Sequence, residues 1–209
     1  MPAVGPERYV VHAEDTLYSI AWRHNLDYRD LARWNNIGPD FRISVGQVLM
    51  LGPGANPPPR PQPPAQPPPS QPRASGAAPM VDKPKAAPSS LPWVWPTDRL
   101  GAPRPASGGG IILPGRLGQD VRAAGTGRVV YTGSGLRGYG NLIIIKHADN
   151  WLSAYGHNRE ILVHDGEEVA VGQVIAHMGE DDHQSAVLYF EIRQNGRPVD
   201  PLVYLPKAK

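Results

Sequence analysis

Fourteen prolines lie between Pro53 and Pro88, interleaved with Gln, Ala, Ser and Arg. Proline has no backbone N–H to donate and a fixed φ, so it is excluded from helix and sheet interiors. With almost no large apolar side chains between the prolines, this stretch has nothing from which to build a core. Gly52 to Ser90 therefore reads as a linker biased to polyproline II, which at its rise per residue would span roughly 120 Å if fully extended. The 209-residue chain is thereby divided into a stub (1–7), a first folded segment (8–51), a disordered proline-rich linker (52–92) and a second folded segment (93–209).

Composition narrows the function. The chain has no cysteine, which removes disulfide scaffolds, thiolate nucleophiles and cysteine zinc sites. A formal charge of +2, without basic tracts interleaved with aromatics, gives no reason to expect a nucleic-acid partner. No apolar run approaches the ~18 residues of a transmembrane helix. The N-terminal Met-Pro-Ala-Val-Gly-Pro has no apolar h-region and is not a signal peptide.

The first segment reads β-α-α-β. Tyr9-Val10-Val11 is a short extended run. Asp15 is the expected N-cap of a helix from Thr16 to about His24, with Leu17, Ile20 and Ala21 forming one apolar stripe. A second helix is expected over Tyr28–Asn35, capped by Asp27, and Val45 to Leu49 is a turn followed by a strand. On Tyr9-Val10-Val11, Asp15-Thr16-Leu17, Ile20-Ala21, Leu31, Trp34-Asn35-Asn36-Ile37 and Val45-Gly46-Gln47, this small α+β segment resembles a LysM module. Glu14 stands where that family usually has glycine. The resemblance implies binding of peptidoglycan glycan strands, with Asp15, Thr16, Leu17, Asn36 and Ile37 as glycan-binding residues. From the residues alone, Leu17 and Ile37 serve equally as core, and Asp15 as a cap.

The second segment reads as strands between glycine turns, with no helical period of any length. A mainly-β domain of antiparallel sheets follows. Its order of motifs resembles the LytM, or M23, zinc endopeptidase domain. The match runs through Gly127-Arg128-Val129-Val130, Gly138-Tyr139-Gly140-Asn141, Ile145-Lys146-His147, Tyr155-Gly156-His157, Gly172 to Ala176, Phe190-Glu191-Ile192-Arg193 and Asn195 to Pro201. The resemblance implies the fold of that family, a duplicated hybrid motif.

A catalytic zinc needs about three protein ligands and an open position for water. The family supplies two ligands from a His-x-Gly-x-Asp motif and the third from the second histidine of a His-x-His motif. Counting back without a gap from Gly118-Gln119-Asp120-Val121, the first motif falls on Gly108 to Ile112, with Gly108 and Ile112 at the ligand positions. The second falls on Val187-Leu188-Tyr189, with Val187 at a catalytic position and Tyr189 at a ligand position. His157, in the family's Tyr-x-His motif, is retained. Glycine and isoleucine carry no donor, and a phenol is a poor one. No catalytic residue, metal or cofactor is therefore expected. Asp181, Asp182 and His183, with His177 nearby, read as a solvated turn rather than a replacement site.

LysM, flexible linker and degenerate LytM domain together resemble murein hydrolase activators of the NlpD type. That resemblance implies a non-catalytic activator of periplasmic N-acetylmuramoyl-L-alanine amidases in septal peptidoglycan splitting and cell separation. The amidase would bind in a groove lined by Ile112, Tyr139, His157, Val187 and Tyr189. It also implies export to the periplasm, with outer-membrane association and a leader absent from this chain. A passive peptidoglycan-binding scaffold and an active zinc endopeptidase are the alternatives.

Overall fold

The computed structural model describes residues 7–53, 92–106 and 108–207; most of the proline-rich linker lies outside them. The elements follow in the order β1 (Arg8–Val10), α1 (Leu17–Arg23), α2 (Tyr28–Trp34), β2 (Val48–Met50), β3 (Arg104–Pro105) and β4 (Ile111–Pro114). Next come β5 (Asp120–Arg122), β6 (Gly127–Gly133), β7 (Asn141–Lys146), β8 (Trp151–Ile161), β9 (Glu168–Val169), β10 (Val174–Met178), β11 (Val187–Gln194), β12 (Arg197–Val199) and the one-turn α3 (Pro201–Tyr204).

In the first module β1 and β2 pair antiparallel beneath two short helices. The start of α1 differs from the sequence reading. Thr16, not Asp15, is the N-cap, and it forms a reciprocal capping box with Ser19. Asp15 is drawn back instead, accepting from the His12 amide and the Tyr9 hydroxyl at 2.8 Å each. Asp27 caps α2 as expected. Buried Asn35 ties α2 to β2: its Nδ2 donates to the Leu31 and Met50 carbonyls, and its Oδ1 accepts from the Met50 amide at 2.7 Å.

The second module is one antiparallel sheet in the order β3-β4-β11-β8-β7-β6-β9, with β12 beside β11 and β10 bridging β5 and β8. Strand β7 sets its architecture. Leu142, Ile143, Ile144 and Ile145 are all fully buried. Successive side chains point to opposite faces, so both faces of this strand are covered. Ile143 and Ile145 join Val129, Tyr155, Phe190 and Ile192 in the module's own core.

Leu142 and Ile144 face the other way, with Tyr131, Leu136, Leu152 and Ala154. They share one apolar cluster with Leu17, Ile20, Trp22 and Leu31 of the first module. Helix α1 rests on β6. This explains why α1 has more than the single buried stripe expected: Leu17, Ser19, Ile20, Ala21 and Trp22 are all buried.

A buried polar network closes the inner side of the sheet. His147 Nδ1 is 2.8 Å from the Thr126 carbonyl, and Nε2 is 2.7 Å from Ser153 Oγ. Ser153 Oγ lies 2.9 Å from Tyr155 Oη, which accepts from the Ala124 amide. The carbonyl contact fixes the proton on Nδ1 in the neutral ring. Burial pushes the His147 pKa down from 6.5 to about 4. The folded imidazole then binds fewer protons than the unfolded one between those two values, so its contribution is complete above about pH 6.5 and is lost as pH falls through the window. The loss should amount to roughly 3 kcal/mol, and His147→Asn should flatten that part of the stability–pH curve in urea unfolding between pH 4 and 7.

Candidate functional site

Strand β11 carries the site. Tyr189, Glu191 and Arg193 alternate along one face of it, opposite Leu188, Phe190 and Ile192 in the core. All three polar residues are buried, Glu191 completely. The Tyr189 hydroxyl donates to Glu191 Oε2 at 2.5 Å, and Arg193 Nε donates to Glu191 Oε1 at 2.6 Å. Burial raises the Glu191 pKa, a rise that Arg193 and the Tyr189 hydroxyl oppose. The Tyr189 phenol is pushed upward, first by burial and then by the Glu191 charge.

The sequence-predicted positions converge on the Tyr189 ring. Tyr189 lies opposite Ile112 in the β4–β11 register and opposite Gly156 on β8. A Cβ on Gly110 would sit 2.8 Å from the Tyr189 hydroxyl, and one on Gly156 would sit 3.3 Å from Tyr189 Cβ. The ring thus occupies space that side chains at those glycines would need. Gly108 is adjacent: a Cβ there would be 3.6 Å from the same hydroxyl. Tyr139 packs edge-on against Tyr189 with ring centroids 5.0 Å apart. His157 lies farther off, 6.5 Å between centroids.

Of the expected groove residues, Val187 and Tyr189 are buried, whereas Ile112, Tyr139 and His157 are partly exposed. His157 adopts a left-handed backbone with φ 60°, uncommon for a residue with a side chain. Its amide donates to the Tyr139 carbonyl, and its own carbonyl accepts from Gly179. Burial lowers its pKa, with Asp181 and Asp182 pulling the other way. The metal-donor groups of this constellation are thus the His157 imidazole, the Tyr139 phenol, and a Tyr189 phenol and Glu191 carboxylate already paired with each other. Among the described residues, no three histidine or carboxylate side chains cluster closely enough to hold a metal ion.

Beside this constellation a cleft of about 820 Å³ opens between the two modules. One wall holds Tyr9, Asp15, Trp22 and Arg23; the other holds Gly108, Tyr131, Arg137 and Tyr139. Of the expected glycan-binding residues, Leu17 is core at 1% exposure. Asp15 is bound to Tyr9 and His12 and lies 3.6 Å from Arg23. Thr16 caps α1, Ile37 is partly buried and Asn36 is exposed.

The buried Glu191–Arg193 pair was not among the expected site residues. The period-2 placement of Tyr189, Glu191 and Arg193 within an otherwise apolar strand was the available signal.

A LysM module joined to an M23 peptidase-like sheet defines the class of this protein. The model of the LysM domain matches residues 9–52, and that of peptidase family M23 matches residues 107–201. A solved Pseudomonas aeruginosa protein described as a putative peptidase M23 shares the fold at TM-score 0.51 and 22% identity, over 57% of this chain and 52% of that one. The lipoprotein NlpD/LppB homolog of P. aeruginosa is 46% identical over 96% of this chain and 77% of its own. The murein hydrolase activator NlpD of Escherichia coli is 36% identical over 95% of this chain and 68% of its own. The uncharacterized lipoprotein YgeR of E. coli is 39% identical, covering 95% and 80% respectively. The chain belongs to the NlpD family of murein hydrolase activators.

Removing the carboxylate of Glu191 would leave a buried guanidinium and a buried phenol without their shared acceptor. Glu191→Ala should therefore cost about 3–5 kcal/mol, as removal of one partner from a buried ion pair does. Glu191→Gln, which keeps an acceptor, should cost less. Urea midpoints of the two variants against the parent measure the difference.

Proposed function

We propose that the protein is a non-catalytic activator of periplasmic N-acetylmuramoyl-L-alanine amidases. In this reading its LysM module holds it on peptidoglycan, while the M23-like module relieves amidase autoinhibition during septal splitting. The observation that carries the proposal is likeness to named murein hydrolase activators across both modules, at 36–46% identity over most of the chain. The names of its relatives, lipoproteins among them, support a periplasmic, outer-membrane-associated location. No helix among the described residues is long and apolar enough to cross a membrane.

The site chemistry supports the non-catalytic reading. The family positions of the zinc ligands fall on Gly108, Ile112 and Tyr189. Two of them offer no donor, and the third gives its hydroxyl to Glu191. These residues do not fit a catalytic zinc, which needs three protein ligands and a free position for water. The space is packed with an aromatic ring and bordered by half-buried Tyr139 and His157, a surface suited to holding a partner element.

Activation is then a population shift. An amidase closed over its own site opens if the activator binds the open form more tightly, and a move from 1:99 to 99:1 takes about 5.5 kcal/mol of differential affinity. LysM contributes by tethering activator and enzyme to one polymer, which raises their effective concentration.

Dye release from labelled sacculi tests the activator role. The protein alone should release nothing, and a periplasmic N-acetylmuramoyl-L-alanine amidase should release dye much faster with the protein than without it. Tyr189 is too deeply packed for a clean charge substitution, so the probe is half-buried Tyr139. Tyr139→Asp should reduce activation about tenfold or more by desolvating a charge against the partner, while Tyr139→Phe should retain most of it. Dye release by the protein alone would instead support the endopeptidase reading. Sacculus binding without any activation would support the passive scaffold.

The glycan site is tested separately by sedimentation with purified sacculi. Asn36 is exposed at the expected groove, and its amide offers both donors and an acceptor to sugar hydroxyls. Asn36→Ala should lower the fraction pelleted without changing the circular dichroism spectrum. Unchanged pelleting would remove Asn36 from the site.

A further inference from the structure

The LysM module is seated on the M23-like sheet by contacts of several independent kinds. The outer apolar face of β6, β7 and β8 is covered by α1 and its neighbours. The Lys146 ammonium, at the end of β7, stands over three LysM rings, with centroids at 6.0 Å for Tyr18, 5.4 Å for Tyr28 and 5.3 Å for Phe41. The Arg193 guanidinium lies 3.7 Å from the Trp22 ring centroid and donates to the Trp22 carbonyl at 3.1 Å. Arg29 reaches Asn195, and Arg23 reaches the Gly135 carbonyl. The Asn195–Gly196 turn fits so closely that a Cβ on Gly196 would come within 2.6 Å of the Asp27 backbone.

Two features mark this seat as reversible. It holds charged groups from the M23-like side, buried Arg193 with Glu191 and half-buried Lys146, as transient interfaces do and permanent cores seldom do. It also leaves the Trp22 indole N–H, beneath the Arg193 guanidinium, buried without a hydrogen-bond partner, a cost that exposure to water would remove.

Arg193 links this seat to the candidate partner site. It holds Trp22 on one side and Glu191 on the other, and Glu191 holds the Tyr189 hydroxyl that packs against Tyr139. The docked module also forms one wall of the cleft onto which Gly108 and Tyr139 open. We propose that LysM is an intramolecular cover, whose docked position restrains the half-exposed Tyr139 face through the buried Tyr189–Glu191 pair behind it, and which must leave before the amidase engages that face. This rests on the activator reading above. Docking and amidase binding are then opposed equilibria coupled through Arg193.

The test separates docking from activation. The chain has no cysteine, so a donor–acceptor dye pair can be placed on Arg33→Cys, in α2, and Leu202→Cys, in α3, of the full-length protein. Both positions are exposed. Gly196→Asn is the undocking variant, because asparagine tolerates the local φ of +76° while its side chain meets the Asp27 backbone. Lys146→Glu, which puts a carboxylate among the three rings, is the second, should Gly196→Asn perturb the hairpin.

The parent should show high transfer and both variants low transfer, with unchanged circular dichroism. In dye release from sacculi, the variants should reach half-maximal amidase activation at a lower concentration, roughly tenfold lower if docking holds ~90% of the parent closed. Low transfer in the parent would overturn the docked state. Lost transfer with an unchanged half-maximal concentration would overturn the coupling. Absence of activation by the parent and both variants would instead count against the activator reading, while the transfer measurement would still report docking.

Discussion

The two-sided burial of β7 governs the organisation of the molecule. A sheet strand with apolar residues on both faces cannot leave either face in water without losing about 25 cal/mol for each Å² of apolar surface exposed. Leu142 and Ile144 are as deeply buried as Ile143 and Ile145. The inner pair belongs to the core of the M23-like module, and the outer pair is closed by Leu17, Ile20, Trp22 and Leu31, far earlier in sequence. The sheet is thus completed from two separate parts of one chain, and the placement of Trp22, Lys146 and Arg193 follows from that closure.

The same closure explains which parts of the structure were legible in the sequence. The β-α-α-β order of the first module, the Asp27 cap and the antiparallel strands of the second follow from local periodicity and turn residues. The α1 cap was misplaced by one residue because Asp15 and Thr16 are both good caps. The choice depended on Tyr9 and His12, which engage the Asp15 carboxylate from outside the helix. Docking between the modules was hidden for a different reason. The proline-rich stretch reads as a place where no core forms, but a gap in core-forming sequence does not mean the flanking modules are apart in space. The clues were the continuous run Leu142 to Ile145 and the aromatic Trp22 following the Leu17–Ile20–Ala21 stripe.

At the candidate site, the contacts of the residues were not legible in the sequence. Gly108 and Tyr139 lie near the Tyr189 ring, and Ile112 is its partner across the strand pair. Residue type alone pictured an open apolar groove. Tyr189 instead reaches past Gly110 to a carboxylate from its own strand, and that carboxylate is held by an arginine two residues farther on. Such an arrangement depends on strand geometry, which puts i, i+2 and i+4 on one face, and on burial strong enough to force polar groups together.

A phenol and a guanidinium converge on the buried Glu191 carboxylate. Removing metal donors from such a pocket without refilling it would leave a void and unsatisfied polar groups, each costly in a close-packed interior. The Tyr189 ring fills the space against Gly110 and Gly156, and its hydroxyl together with Arg193 satisfies the acid. Because Arg193 also donates through Nη1 to the Trp22 carbonyl of the LysM module, the group that holds Glu191 is also a contact between modules. A rearrangement at either end changes the partners available to the other.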